Sequence, residues 1–116
     1  MQHQAMSPSS MQDCIDACTS CHQVCLQTAL THCVEMGGKH VDPQHFRLMM
    51  NCAEVCQASA NLQLSGSAFS PQLCGVCAQV CAACAASCEQ IGEMQACVAA
   101  CRRCAESCQG MASAVH

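Results

Sequence analysis

The stretch Cys74–Cys88 reads CGVCAQVCAACAASC, and its cysteines step forward by 3, 4, 3 and 4 residues. An α-helix turns once every 3.6 residues, so this rhythm sets all five thiols on one face. Leucine usually holds those positions in a helix that packs into a bundle. Between the thiols stand Ala, Gly, Val, Gln and Ser, with no rival apolar face before Ile91. Such a helix has only its cysteine stripe to bury, so the stripe faces inward.

The same period recurs along the chain. Cys14, Cys18, Cys21 and Cys25 form one stripe, and Cys97, Cys101, Cys104 and Cys108 form another. A thiol-poorer stripe runs His45, Met49, Cys52, Cys56, Ser59, Gln63. Cys33 follows Cys25 by eight residues, a spacing that rotates it about 80° off the first stripe. Fifteen of the sixteen cysteines therefore stand in register and one is displaced.

Start and stop signals divide the chain into four helices. Ser9 or Ser10 caps a helix over about 11–36, which Gly37-Gly38 ends. Asp42-Pro43 opens a second over about 43–64, with the cap residue followed by proline at the first helical position. Ser70-Pro71 repeats that signal for a third over about 71–91, and Gly92 separates it from a fourth over about 93–112. Short connections make neighbours antiparallel. The expected fold is all-α, an up-down four-helix bundle with a cysteine-lined core, residues 9–116 forming one domain behind a flexible tail at 1–8.

Composition narrows the function. The 116 residues carry a formal net charge of −4 and four basic side chains, Lys39, Arg47, Arg102 and Arg103. Nucleic acid needs a basic footprint and is excluded as a partner. No apolar run approaches the 18 or more residues of a membrane span, so no membrane partner is expected. The segment MQHQAMSPSSMQD has no basic leader region, no apolar core and no twin arginine, which predicts a cytoplasmic protein. In the cytosol thiols stay reduced, so the cysteines are not read as a disulfide scaffold. Helical i,i+3 and i,i+4 pairs are also spaced too widely for easy bridging, and such bridges close loops too small to add much stability.

Plain core packing does not account for sixteen thiols either. Leucine fills such a bundle better and does not oxidise. Metal binding remains. The dominant unit is C-x3-C, at 14/18, 21/25, 52/56, 77/81, 84/88, 97/101 and 104/108. Structural zinc wants four ligands closed around one ion, and iron–sulfur clusters want short-spaced loop cysteines. Two thiolates one turn apart on a straight helix suit a soft ion content with few ligands, Cu(I). One Cu⁺ per thiolate also leaves no net charge in the core, which sets an expected capacity on the order of 15 ions. His32, Cys33, Met36, His40, His45, Met49 and Met94 converge on one end of the bundle. Imidazole and thioether bind Cu(I) while neutral, so this end is the expected mouth. Leu62, Leu64, Phe69 and Leu73, with Met11 and Met111, are expected to plug the other. His3, His22 and His116 have no such context.

Cysteine stripes with C-x3-C pairs on four helices, and an end rich in His and Met, resemble the bacterial copper storage proteins of the cytosolic branch over about Met11–Ala112. The resemblance implies a homotetramer of bundles that fill with Cu(I), loaded by a copper chaperone or small-thiol carrier. It extends to the fifteen striped cysteines; Cys33 departs from it and is placed at the mouth. Two other classes stay open at this point: a metallothionein-like protein for mixed soft metals (Zn, Cd, Cu), and a thiol redox buffer. The second needs exposed thiols of low pKa, which buried stripes among alanines do not offer. No carboxylate pair or nucleophile–base constellation points to an enzyme.

Overall fold

Helix-forming alanines and thiol stripes fold as their period dictates. In the computed structural model, which describes residues 8–114, α1 spans Pro8–Thr28 and runs on through a π turn at Ala29–Cys33 into a short α2, Val34–Met36. A 3₁₀ turn, Gly38–Val41, leads to α3 (Pro43–Leu64), followed by α4 (Ser70–Ile91) and α5 (Gln95–Ala114). Around the bundle α1 packs on α3, α3 on α4, α4 on α5 and α5 back on α1. The result is a rod of 52 × 22 × 20 Å.

Each turn has a local cause. Gly37 ends α2 at φ +67°, a conformation open to glycine at no steric cost. Asp42 caps α3 by accepting a hydrogen bond from the His45 backbone N–H at 3.4 Å, with Pro43 next, as its sequence indicates. At the far end of α3, Gly66 at φ +68° lets its own N–H reach Gln63 O and the Ser67 N–H reach Leu62 O at 2.9 Å, the Schellman pairing.

Three expected boundaries move. Pro8 is already helical, so neither Ser9 nor Ser10 is the cap of α1, and the tail expected at 1–8 otherwise lies outside the described residues. Ser70 is the first residue of α4 rather than its cap; Ser67 Oγ instead accepts from the Phe69 N–H at 3.1 Å. The last helix starts at Gln95, not 93. Gly92 and Glu93 both sit at positive φ, +84° and +59°, and two such residues in succession cannot begin a right-handed helix.

All sixteen cysteines are buried, and none is in a disulfide. Buried Ala17, Ala29, Ala53, Ala60, Ala78 and Ala85 stand beside them. On composition α4 is the one described helix long and apolar enough to cross a membrane, because cysteine and alanine both count as apolar. Its five cysteines are turned into the bundle instead.

Candidate metal centre

The four stripes meet along the bundle axis as a continuous column of sulfur. Cys18 and Cys108 approach to 3.4 Å, Cys56 and Cys81 to 3.4 Å, and Cys25 and Cys101 to 3.5 Å. Further contacts of 3.7–3.8 Å link Cys52 to Cys81, Cys21 to Cys101 and Cys104 to Cys18. Three groups of four thiols have all their sulfurs within 4.8 Å of one another: Cys18/Cys77/Cys104/Cys108, Cys21/Cys25/Cys52/Cys101 and Cys21/Cys56/Cys81/Cys104. A group of three, Cys14/Cys74/Cys108, closes one end.

These groups overlap, and the overlap decides the chemistry. Cys21, Cys104 and Cys108 each belong to two of them. A separate tetrahedral ion in every group would need the same thiolate twice, so closed four-thiolate zinc sites cannot occupy them all. Bridging thiolates shared between low-coordinate soft ions can use the whole column.

Proton sharing runs through the same network. In each C-x3-C pair the first thiol is acidified and the second holds its proton more firmly, chiefly through hydrogen bonds to other thiols. Cys97 falls to about 4 through its bonds with Cys25 and Cys88, and Cys104 to about 6 through Cys108 and Cys18. A sulfur that receives a neighbour's hydrogen is stabilised as thiolate, the form that binds metal.

The displaced cysteine is not displaced in space. Cys33 is fully buried, its sulfur 4.0 Å from Met94 Sδ. The π turn explains this. Closing i→i+5 takes in one more residue than an α turn, about 100° of rotation, which offsets the roughly 80° misfit. Around Cys33 lie several of the residues expected at the mouth. Met49 is fully buried, with Sδ 3.6 Å from Cys84 Sγ and 3.3 Å from Cys88 Sγ. His45 is buried, its Nδ1 paired with Ser87 Oγ at 2.7 Å and its Nε2 without a partner. Burial also lowers its pKa, which favours the neutral ring, and in the tautomer whose Nδ1–H donates to Ser87 the Nε2 lone pair is free. His40 is buried, its ring 5.1 Å edge-on from that of His32 and its Nε2 3.9 Å from Glu93 Oε1. Met36 stays outside this group, half exposed on the rim. His22 braces α1 against α3 through Nδ1 and Ala53 O at 2.8 Å. His3 and His116 lie outside the described residues.

The opposite end differs from the expected apolar plug. Leu64 and Phe69 are 66% and 70% exposed, and Met11 is exposed too. The Schellman turn carries Leu64 outward with the end of α3, and Phe69 precedes the first turn of α4, so neither reaches the axis. Met111 and Ile15 are buried there, and so is a polar residue, Gln63. Spacing alone marks Gln63 as a stripe member; what its amide does was not legible.

An antiparallel bundle with a connected thiol interior is, as a class, a container for several soft metal ions. The profile of the copper storage protein family matches residues 7–113, and the chain belongs to that family. The structure of Nmul_A1745 from Nitrosospira multiformis is similar at a TM-score of 0.91 and 58% identity, covering 92% of this chain and 98% of that one. The Cu(I)-bound copper storage protein BsCsp3 of Bacillus subtilis follows at a TM-score of 0.82 and 33% identity, covering 89% and 98%. A cytosolic copper storage protein from Streptomyces lividans, loaded with five coppers, gives a TM-score of 0.79 at 28% identity over 93% and 96%.

Proposed function

We propose that this chain stores copper, holding on the order of one Cu(I) per thiolate along the axis of its bundle. The observation that carries this reading is the overlap of the thiol groups, which suits bridging ions and not isolated ones. Ligands are Cys14, Cys18, Cys21, Cys25, Cys33, Cys52, Cys56, Cys74, Cys77, Cys81, Cys84, Cys88, Cys97, Cys101, Cys104 and Cys108. At the mouth, His32, His45, Met49 and Met94 pass the ion inward, while Met36 on the rim makes a first, transient contact.

Membership of the family and a relative described as cytosolic support a cytoplasmic reservoir that is not an enzyme. A copper chaperone or small-thiol carrier delivers the ion. An open groove of about 880 Å³ runs past His45 and Ser87 and gives such a carrier room to approach. A homotetramer is the expected assembly, tested by light scattering of the apo-protein.

Anaerobic titration of Cu(I) into the reduced protein against a chromogenic chelator, with Zn²⁺ in parallel, tests the storage reading. Uptake near one ion per thiol, with the helical signal present before metal, supports it. Saturation at about four ions, or tighter binding of zinc, replaces it with a mixed-metal or structural site.

A further inference from the structure

At the closed end a buried amide stands where the rest of the column carries sulfur. Gln63 is 3% exposed, and its Nε2 lies 3.3 Å from Ser59 O, 3.5 Å from Cys14 Sγ and 3.9 Å from Cys18 Sγ. The Ser59 carbonyl can only accept, so the nitrogen side of the amide must face it. One N–H is then committed to Ser59, whose Oγ also lies 3.4 Å from Nε2, and the other is left to the sulfurs of α1. Beside it, Ser59 Oγ lies 3.6 Å from Cys74 Sγ and 4.0 Å from Cys108 Sγ. Gln63 Oε1 has no hydrogen-bond partner. A buried polar atom left this way destabilises the fold, and leucine would close the end without that cost.

The thiols deeper in the column find their hydrogen-bond partners in other sulfurs. Those bonds depend on S–H protons, and Cu(I) displaces the protons. In the loaded bundle the sulfurs of the middle layers keep copper as their counter-charge and have no donor besides. At this end Cys14, Cys18, Cys74 and Cys108 still face N–H and O–H groups; among the described residues Cys97, toward the other end, has the Thr28 hydroxyl. The former sit at the end of the column, where a thiolate has copper on one side alone and carries the most uncompensated charge.

We propose that Gln63, supported by Ser59, is a positioning residue for the terminal copper, its N–H holding the thiolate charge of Cys14 and Cys18. A hydrogen bond to a charged acceptor is stronger than one to a neutral thiol, so the amide contributes more in the loaded state than in the empty one. The unpartnered oxygen is the cost of placing that N–H, and it falls on the apo-protein. The inference rests on the copper storage reading and concerns only the last layer of it.

Gln63→Leu separates the proposal from simple space-filling, because the two effects have opposite signs. The apo variant is expected to melt higher than the parent. Loaded with copper, it is expected to surrender about one ion per chain to a competing chelator at roughly tenfold lower chelator concentration. Gln63→Glu, which swaps the N–H donor for a second oxygen, is expected to lose that ion more readily still. In ¹⁵N-labelled parent protein, one side-chain amide proton of Gln63 is expected to move downfield and exchange more slowly on loading. Ser59→Ala gives a smaller loss of the same kind and serves if the Gln63 variants do not fold. Retention equal to the parent in Gln63→Leu, or an amide signal unmoved by copper, overturns the proposal. Failure of the parent chain itself to take up many ions overturns the storage reading instead, and the titration distinguishes the two.

Discussion

The two ends of the bundle each bury polar atoms that lack hydrogen-bond partners, yet they offer opposite chemistry. At the mouth the orphans are ring nitrogens of His32, His40 and His45, beside the thioethers of Met49 and Met94. Imidazole nitrogen and thioether sulfur are ligands for a soft cation. At the closed end Gln63 turns an N–H toward sulfur, with the Ser59 hydroxyl beside Cys74, and so favours anions. On the proposed reading one end admits the metal and the other steadies the thiolates left when it has arrived. That reading gives the column a direction, with exchange at one end and retention at the other.

The strongest way to break this picture is to interrupt the column between the ends. Changing Cys21, Cys52, Cys81 and Cys101 to Ser removes shared thiols from the middle layers. Capacity is expected to fall by at least four ions if one ion accompanies each thiolate, measured by anaerobic titration. The loss is larger if ions beyond the break no longer reach the closed end. Next in size is the mouth. His40→Ala with His45→Ala is expected to slow uptake about tenfold in stopped-flow mixing, the loss typical of removing groups that support a metal site, while the final copper count changes little. An equal fall in rate and count would show that the histidines store copper and do not merely pass it on.

Removing one residue from the π turn sharpens the comparison further. Deleting Leu30 returns the segment to an α turn and leaves Cys33 seven residues after Cys25, about 20° from the stripe and still on the axis. The apo variant is then expected to hide its thiols from a thiol reagent as the parent does, and one newly reactive thiol per chain would show that the π turn does not set the register of Cys33. The pH dependence of the apo-protein follows, and its sign is set by His45. Burial lowers this pKa below the 6.5 of a free histidine, so the unfolded chain takes up the proton first as pH falls. Stability is therefore expected to decline as pH drops below 6.5, by at most about 1.4 kcal/mol per pH unit, and to decline less in His45→Gln. The smallest effect is expected from Phe69→Ser. Its ring is exposed, so monomer stability should shift by less than about 0.5 kcal/mol, followed by thermal melting.

Much of this was legible in the sequence because one residue type marked the buried face. The stripes of Cys74–Cys88 and Cys97–Cys108 needed only the period of a helix to place them, and the structure puts each of those thiols inside. Asp42-Pro43 was equally readable, since cap and proline act locally. The failures have a common cause in tertiary context. Cys33 looked off-axis because spacing assumes an unbroken α register, and nothing in ALTHC announces a π turn. Leu64 and Phe69 looked like a plug because apolar character was taken for burial, whereas the turn geometry after α3 decides where they point. Gln63 stood in the thiol-poorer stripe, where its spacing gave its face but not its partners. Its role depends on a carbonyl and two sulfurs that only folding brings to it.

The sulfur column also gives the protein a lifetime. Sixteen reduced thiols, many of them in mutual contact, can surrender sixteen electrons in forming eight disulfides. Each such bond needs its sulfurs pulled from 3.4 Å or more to about 2.05 Å, which would drag helices out of alignment and seal off the axis. An empty bundle is thus perishable in a way that a leucine-filled one is not. Cargo and preservative are the same ion: a thiolate engaged with metal is a poorer target for oxidants than one left bare, and a partly filled bundle should age from its vacant layers outward.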